Sequence, residues 1–383
     1  MTVMTWMLAT AITLTAPTPV PDRQPVPVSP NPARLVVPCD QVGALPRALR
    51  IAEKQREAEI YLRGVCTGNF KIERGSIGLH GMTPDSGLAA PAGNPSGEPL
   101  LEVVDANVRL HRMVALGGVV GVLAHGADAE VFLGNVEVRD QTGIGLYADD
   151  GAELRLFETV VENSGAVGVV VRGNSSANVQ RSRVRGHEVG LEVIDRSFLA
   201  ISDSTVESNR VGGLGVGDRS DANVLGGEFR ENGQIHLNAS DWSRITLLFE
   251  TTIGSEADST TGSLGATRNS TVASYGTPDI YGNASVLSGA SLRLGNTVLH
   301  GDLTAIQFAD AHVRNAEITG SVACVDGSDV ICRGTTTAGS FGCVSTSCGV
   351  PTALAIEHGA LAAEEQAATI PTDSGPRSLD RRF

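Results

Sequence analysis

The segments GVLAHGADAEVFLGNVEVRD (121–140), GLYADDGAELRLFETVVEN (145–163), GVVVRGNSSANVQRSRVRG (168–186), GLEVIDRSFLAISDSTVESN (190–209), GLGVGDRSDANVLGGEFREN (213–232) and IHLNASDWSRITLLFETT (235–252) are copies of one unit, spaced 22 to 24 residues apart. Apolar residues alternate at the head of each copy, as in Leu146/Ala148, Val169/Val171, Leu191/Val193, Leu214/Val216 and Leu237/Ala239. A period of two belongs to strands, whereas a helical repeat would show 3.6. A second apolar file follows at Val138, Val161, Val184, Val206 and Phe229. Just beyond it Asp140, Asn163, Gly186, Asn209 and Asn232 mark a tight corner, because Asp, Asn and Gly tolerate left-handed backbone. Proline is absent from 100 to 277, as paired strands require.

Units of this length and pattern resemble the coils of right-handed parallel β-helices, the pectin-lyase-like superfamily. Leucine-rich repeats would show a leucine consensus, and propeller blades run longer. The resemblance implies an all-β solenoid with strands stacked at about 4.8 Å. Room exists for roughly a dozen coils across 59–345, with weaker copies in GASLRLGNTVLHGD, ADAHVRNAEITGS and GSDVICRG. Ahead of them, LPRALRIAEKQRE (45–57) places Leu45, Leu49 and Ile51–Ala52 at near-helical spacing. Strand-like runs then flank Thr67–Gly68. Many members of the superfamily begin with such a short capping helix, which covers the bare edge of the first coil.

The flanks set the remaining boundaries. An apolar run, MTWMLATAITLTA (4–16), is too short to span a bilayer and suits a secretory signal over 1–16. Seven of the 17 prolines fall between Pro17 and Pro32, so 17–38 reads as a linker, followed by a cap at 39–58, the β-helix at 59–345 and a tail at 346–383. The six cysteines lack the tight C-x-x-C pairs of a metal site. Disulfides fit better and agree with export; proximity suggests Cys39–Cys66, Cys324–Cys332 and Cys343–Cys348.

Across a wound stack, residues one coil apart in sequence become neighbours in space. Arg139, Glu162, Arg185, Glu207 and Arg230 therefore form a column of alternating sign, a surface ion-pair ladder. Asp149, Asp195, Asp218 and Asp241 share a 23-residue lattice, with Arg172 on the missing rung and the motifs DRS, DRS and DWS around the last three. Asp followed by Ser at a strand end commonly bonds its own turn, and this is the favoured structural reading. If the column is instead a site, Asp195, Asp218 and Asp241 would carry acid–base work, and Asp195 with Asp218 would hold Ca²⁺. Arg172, Arg196, Arg219 and the exposed Trp242 would bind substrate, with Arg196 and Arg219 relieving the repulsion. His187 reads as a solvated corner residue.

Function is less legible than fold. A net charge of −14 argues against nucleic acid, and the mature chain offers no membrane span. Paired aspartates at 149–150 superficially match those of polygalacturonases, yet N-T-D, G-H-G and R-I-K are missing, as are D-P-H-E and R-x-P-x-x-R. The expectation is a secreted, periplasmic or cell-surface β-helix, structural or glycan-binding without turnover. The alternative is a polysaccharide lyase or glycoside hydrolase acting on acidic polysaccharide through the Asp ladder, with Ca²⁺ as the bridging cofactor. No other cofactor is implied.

Overall fold

The computed structural model describes residues 32–93, 97–256, 262–337 and 339–343. The expected signal, most of the linker and the tail fall outside them. Among the described residues all strand pairings are parallel, in one sheet of 22 strands and one of 13. They build a solenoid of about 13 turns. A central coil has three strands: Ile144–Asp149 in the smaller sheet, then Glu153–Phe157 and Val160–Glu162 in the larger.

The files expected from the repeat are present. Leu146, Val169, Leu191, Leu214 and Leu237 stack in register with at most 1% exposure. Val138, Val161, Val184, Val206 and Phe229 form a second buried file. Small and β-branched side chains suffice because each inward residue is covered above and below by its own copies. The glycine ahead of the first file is equally constrained: a Cβ on Gly168 would lie 2.6 Å from the carbonyl oxygen of Gly190.

Coil length varies more than the central repeat suggests. Pairings join Leu79 to Leu110 and Leu237 to Leu264, whereas late coils are short, as in Leu303 with Val322. One central coil is also a residue short. His187 bonds Ser164, 23 positions back, but Val189 pairs with Val167, 22 back. From there on a strict 23-residue lattice slips by one. Asn209 and Asn232 consequently do not share the left-handed column of Asp140, Asn163 and Gly186; Ser208 and Glu231 do.

The displaced asparagines belong to a buried polar file of Gln141, Ser164, His187, Asn209 and Asn232. Ser164 Oγ donates to Gln141 Oε1 at 3.1 Å, His187 N to Asn209 Oδ1 at 3.1 Å, and Asn209 Nδ2 to Asn232 Oδ1 at 2.8 Å. His187 is therefore not the solvated residue expected; it is 2% exposed.

At the N-terminal end the helix Ala44–Gln55 buries Leu45, Ala48, Leu49 and Ala52, while Ile51 faces solvent. The strand Ala33–Pro38 already pairs with Glu57–Arg63, so the solenoid begins inside the expected linker. Leu35 and Val37 point their side chains into the core. Cys39–Cys66 forms as expected. Cys324 instead joins Cys343, with Cα atoms 4.9 Å apart, because Val322 and Ala323 already pair with Phe341 and Gly342 on the next coil. Cys332 lies on a different sheet and is also disulfide-bonded. Cys348 is outside the described residues.

The His187 ring accepts from Ser164 N at 3.0 Å and lies 3.1 Å from the Val161 carbonyl, a pairing that suits the neutral ring. Burial lowers its pKa. The unfolded chain then binds the proton more readily, so stability falls as pH drops below about 6.5, the ordinary histidine value. His187→Asn, the residue used on the next two rungs, should fold and show a flatter decline in urea midpoint between about pH 6.5 and 5.

Candidate functional site

Nine successive strands of the smaller sheet, from Ile144–Asp149 to Val322–Val325, are each followed by two consecutive left-handed residues: Asp150–Gly151, Gly173–Asn174, Asp195–Arg196, Asp218–Arg219, Asp241–Trp242, Arg268–Asn269, Ser288–Gly289, Gln307–Phe308 and Asp326–Gly327. The second residue's N–H donates to the first residue's carbonyl one coil on, as from Arg196 to Asp218 at 3.1 Å, Arg219 to Asp241 at 3.0 Å and Trp242 to Arg268 at 3.2 Å. This ladder fixes the edge on which the sequence-derived site lies.

It also corrects the Asp lattice. Asp195, Asp218 and Asp241 are stacked as expected, but Asp149 and Arg172 sit one position earlier, aligned with Ile194 and Gly217. The 22-residue coil produces the slip. Turn-capping passes to the serines of DRS, DRS and DWS, with Ser197, Ser220 and Ser243 at most 2% exposed. Ser220 Oγ accepts from Ser197 N at 3.0 Å, and Ser243 Oγ donates to the Val216 carbonyl at 2.7 Å. Among the described residues the carboxylates of Asp195, Asp218 and Asp241 accept no backbone hydrogen bond. The turn does not consume them.

Repulsion along the edge is relieved differently from expectation. Arg172 Nε lies 3.4 Å from Asp195 and 3.7 Å from Asp149, and Arg268 lies 3.3 Å from Asp241. Arg196 and Arg219 point outward and form no ion pair among the described residues. Asp218 stands between its two neighbours without a cation, and desolvation together with Asp195 and Asp241 raises its pKa. Trp242 is 67% exposed.

Three neighbours escaped the sequence reading. Glu192 faces outward between Val170 and Gly215, and burial raises its pKa, with Arg172 opposing and Asp218 adding. The Tyr147 hydroxyl donates to Asp149 at 3.2 Å, and burial first, then Asp149, pushes its pKa up to about 12. Arg268 occupies the rung after Asp241. The outward phase of the strand was the available signal for Glu192 and Tyr147. Chemically the edge offers carboxyls side by side, flanked by arginines. Among the described residues no group of three or more His, Cys, Asp or Glu is gathered to hold a metal ion.

The alternating charge column has its expected register. Arg185 Nε is 2.8 Å from Glu162 and Arg230 is 2.7 Å from Glu207, while Arg139 turns to Glu137 and Asp140 instead. A shallow groove of about 530 Å³ follows this corner, but its charges are largely paired.

Residues 107–269 match the family model of the right-handed β-helix region. With the parallel stack above, this makes the protein a right-handed parallel β-helix. No curated protein and no solved structure matched the chain.

Removing the central negative charge should relieve the edge. Asp218→Asn keeps a residue suited to left-handed backbone and should raise stability at pH 7 by about 0.2–1 kcal/mol, the scale of a cross-strand like-charge contact. Because a raised carboxyl pKa favours the protonated folded state, the gain should shrink as pH falls into the carboxylate range. Paired urea melts at neutral and acid pH read it.

Proposed function

We infer that this protein is a secreted or cell-envelope β-helix that binds glycan along the corner edge of the smaller sheet and does not turn it over. The observation that carries the reading is the alignment of Asp195, Asp218, Asp241, Arg196, Arg219 and Trp242 on rigid corners whose backbone needs are met without their side chains. Such an edge is preorganised and costs little ordering on binding. Short corners leave the ligand open to water, which suits adhesion better than chemistry that needs water excluded. Disulfides support an oxidising compartment. No helix among the described residues is long and apolar enough to cross a membrane.

A second reading, a glycoside hydrolase or polysaccharide lyase, draws on one observation: the raised pKa of Asp218 beside carboxylates paired with arginine. Environments that separate neighbouring carboxyls assign an acid and a base. Screening the full chain on acidic and neutral polysaccharides, with product release measured beside binding, separates the two. The expected result is binding without product, and weaker binding in Asp218→Asn. Product that disappears in that variant would establish the enzyme instead.

A further inference from the structure

Aromatic residues are scarce, 15 of 383, and several have a ring face covered. Tyr281 stacks on His300 at 4.4 Å, Tyr61 on His80 at 5.0 Å, and the Arg181 guanidinium lies 4.2 Å from the Phe157 ring centre. Trp242, Phe249 and Phe308 behave otherwise, being exposed and left-handed, and of these Trp242 and Phe308 share one column of corners. These two are 67% and 75% exposed, and both sit in left-handed backbone, φ +66° and +59°. Bulky residues rarely adopt that conformation. The same column elsewhere uses Gly151, Asn174, Asn269, Gly289 and Gly327, whose types suit it, together with Arg196 and Arg219. Each ring therefore strains its corner and gains little burial in return. Strain kept at an exposed position points to a role outside folding.

The two rings stand in one column, separated by the rungs of Asn269 and Gly289. Three strand spacings put their corners about 14 Å apart. A Cβ on Gly289 would lie 2.6 Å from Asn269 Oδ1, so the Asn269 amide lies across that glycine as a floor. A Cβ on Gly327 would lie 2.9 Å from Phe308 Cε1, so the Phe308 ring is backed by the next corner. Asp241 and Arg268, the charged corner residues of this interval, pair at 3.3 Å, and Ser288 Oγ bonds Gln307 Oε1 at 2.9 Å.

The geometry points to a clamp for a neutral sugar chain, with Trp242 and Phe308 as its ring platforms and Asn269 between them. Rings that are apolar on their faces suit the CH faces of a pyranose. The amide both donates and accepts, matching hydroxyls. An acidic polymer would need an available cation, and Arg268 in this interval is engaged. This inference rests on the glycan-binding reading and narrows it to uncharged sugars at the Trp242–Phe308 end of the edge.

The test uses the full chain, whose only tryptophans are Trp6 and Trp242. Neutral xylo- and cello-hexaose, and separately an oligogalacturonate, are titrated by tryptophan fluorescence and calorimetry. Trp242→Asn and Phe308→Asn place a residue that the same column already tolerates, so both should keep or raise the Tm. The expected result is binding of a neutral hexamer that weakens by about tenfold or more in each variant at unchanged or higher Tm. Neutral binding indifferent to both variants would overturn the clamp. Binding of the oligogalacturonate alone would also overturn it while leaving the glycan reading intact. Silence from every sugar would remove both.

Discussion

The hydrogen bonds that run from coil to coil are the constraint on which this molecule depends. They hold not only the strands but the corners, where paired left-handed residues pass an N–H to the carbonyl one coil on. A left-handed non-glycine residue costs about 1–2 kcal/mol, and a typical hydrogen bond returns about 0.5–1.5 kcal/mol. Neither wins decisively. The corner is tolerated because its copies stack, and net stability comes from the continuous apolar files that stacking buries. In such a quasi-one-dimensional body each coil leans mainly on its neighbours.

Stacking also explains the polarity of the interior. Where the chain turns between sheets, backbone groups leave the strand ladder and still require partners. The Gln141–Ser164–His187–Asn209–Asn232 file and the serines of the next corner supply them, each rung serving the one beside it. A histidine can occupy this file only as a neutral ring, which is why its burial and its lowered pKa go together. The disulfide between Cys324 and Cys343 obeys the same geometry: one coil along the chain is one strand spacing in space.

Fold was legible because the buried files are enforced at every rung. A polar residue at Leu191 or Val184 would meet apolar copies above and below, so the period survives in the sequence. Corners are less readable. The coil shortened between His187 and Val189 displaces every later residue by one, and the apolar files reveal that step only when aligned on their own. Counting in strict steps of 23 thus joined Asp149 and Arg172 to Asp195, and Asn209 to Gly186. Asp195, Asp218 and Asp241 were recovered because all three lie after the short coil. Glu192, Tyr147 and Arg268 were missed since none repeats; each is a single outward residue whose meaning comes from neighbours on other rungs.

That contrast bears on where function can reside. Through nine successive corners the backbone conformation is constant, while the second corner position runs Gly151, Asn174, Arg196, Arg219, Trp242, Asn269, Gly289, Phe308 and Gly327. Backbone economy alone would favour glycine or asparagine throughout that column. Arginine, tryptophan and phenylalanine satisfy no turn requirement that these would not meet with less strain. The chemistry along this edge is therefore free of the constraint that makes the rod, and the departures from glycine and asparagine are the residues whose roles folding does not explain.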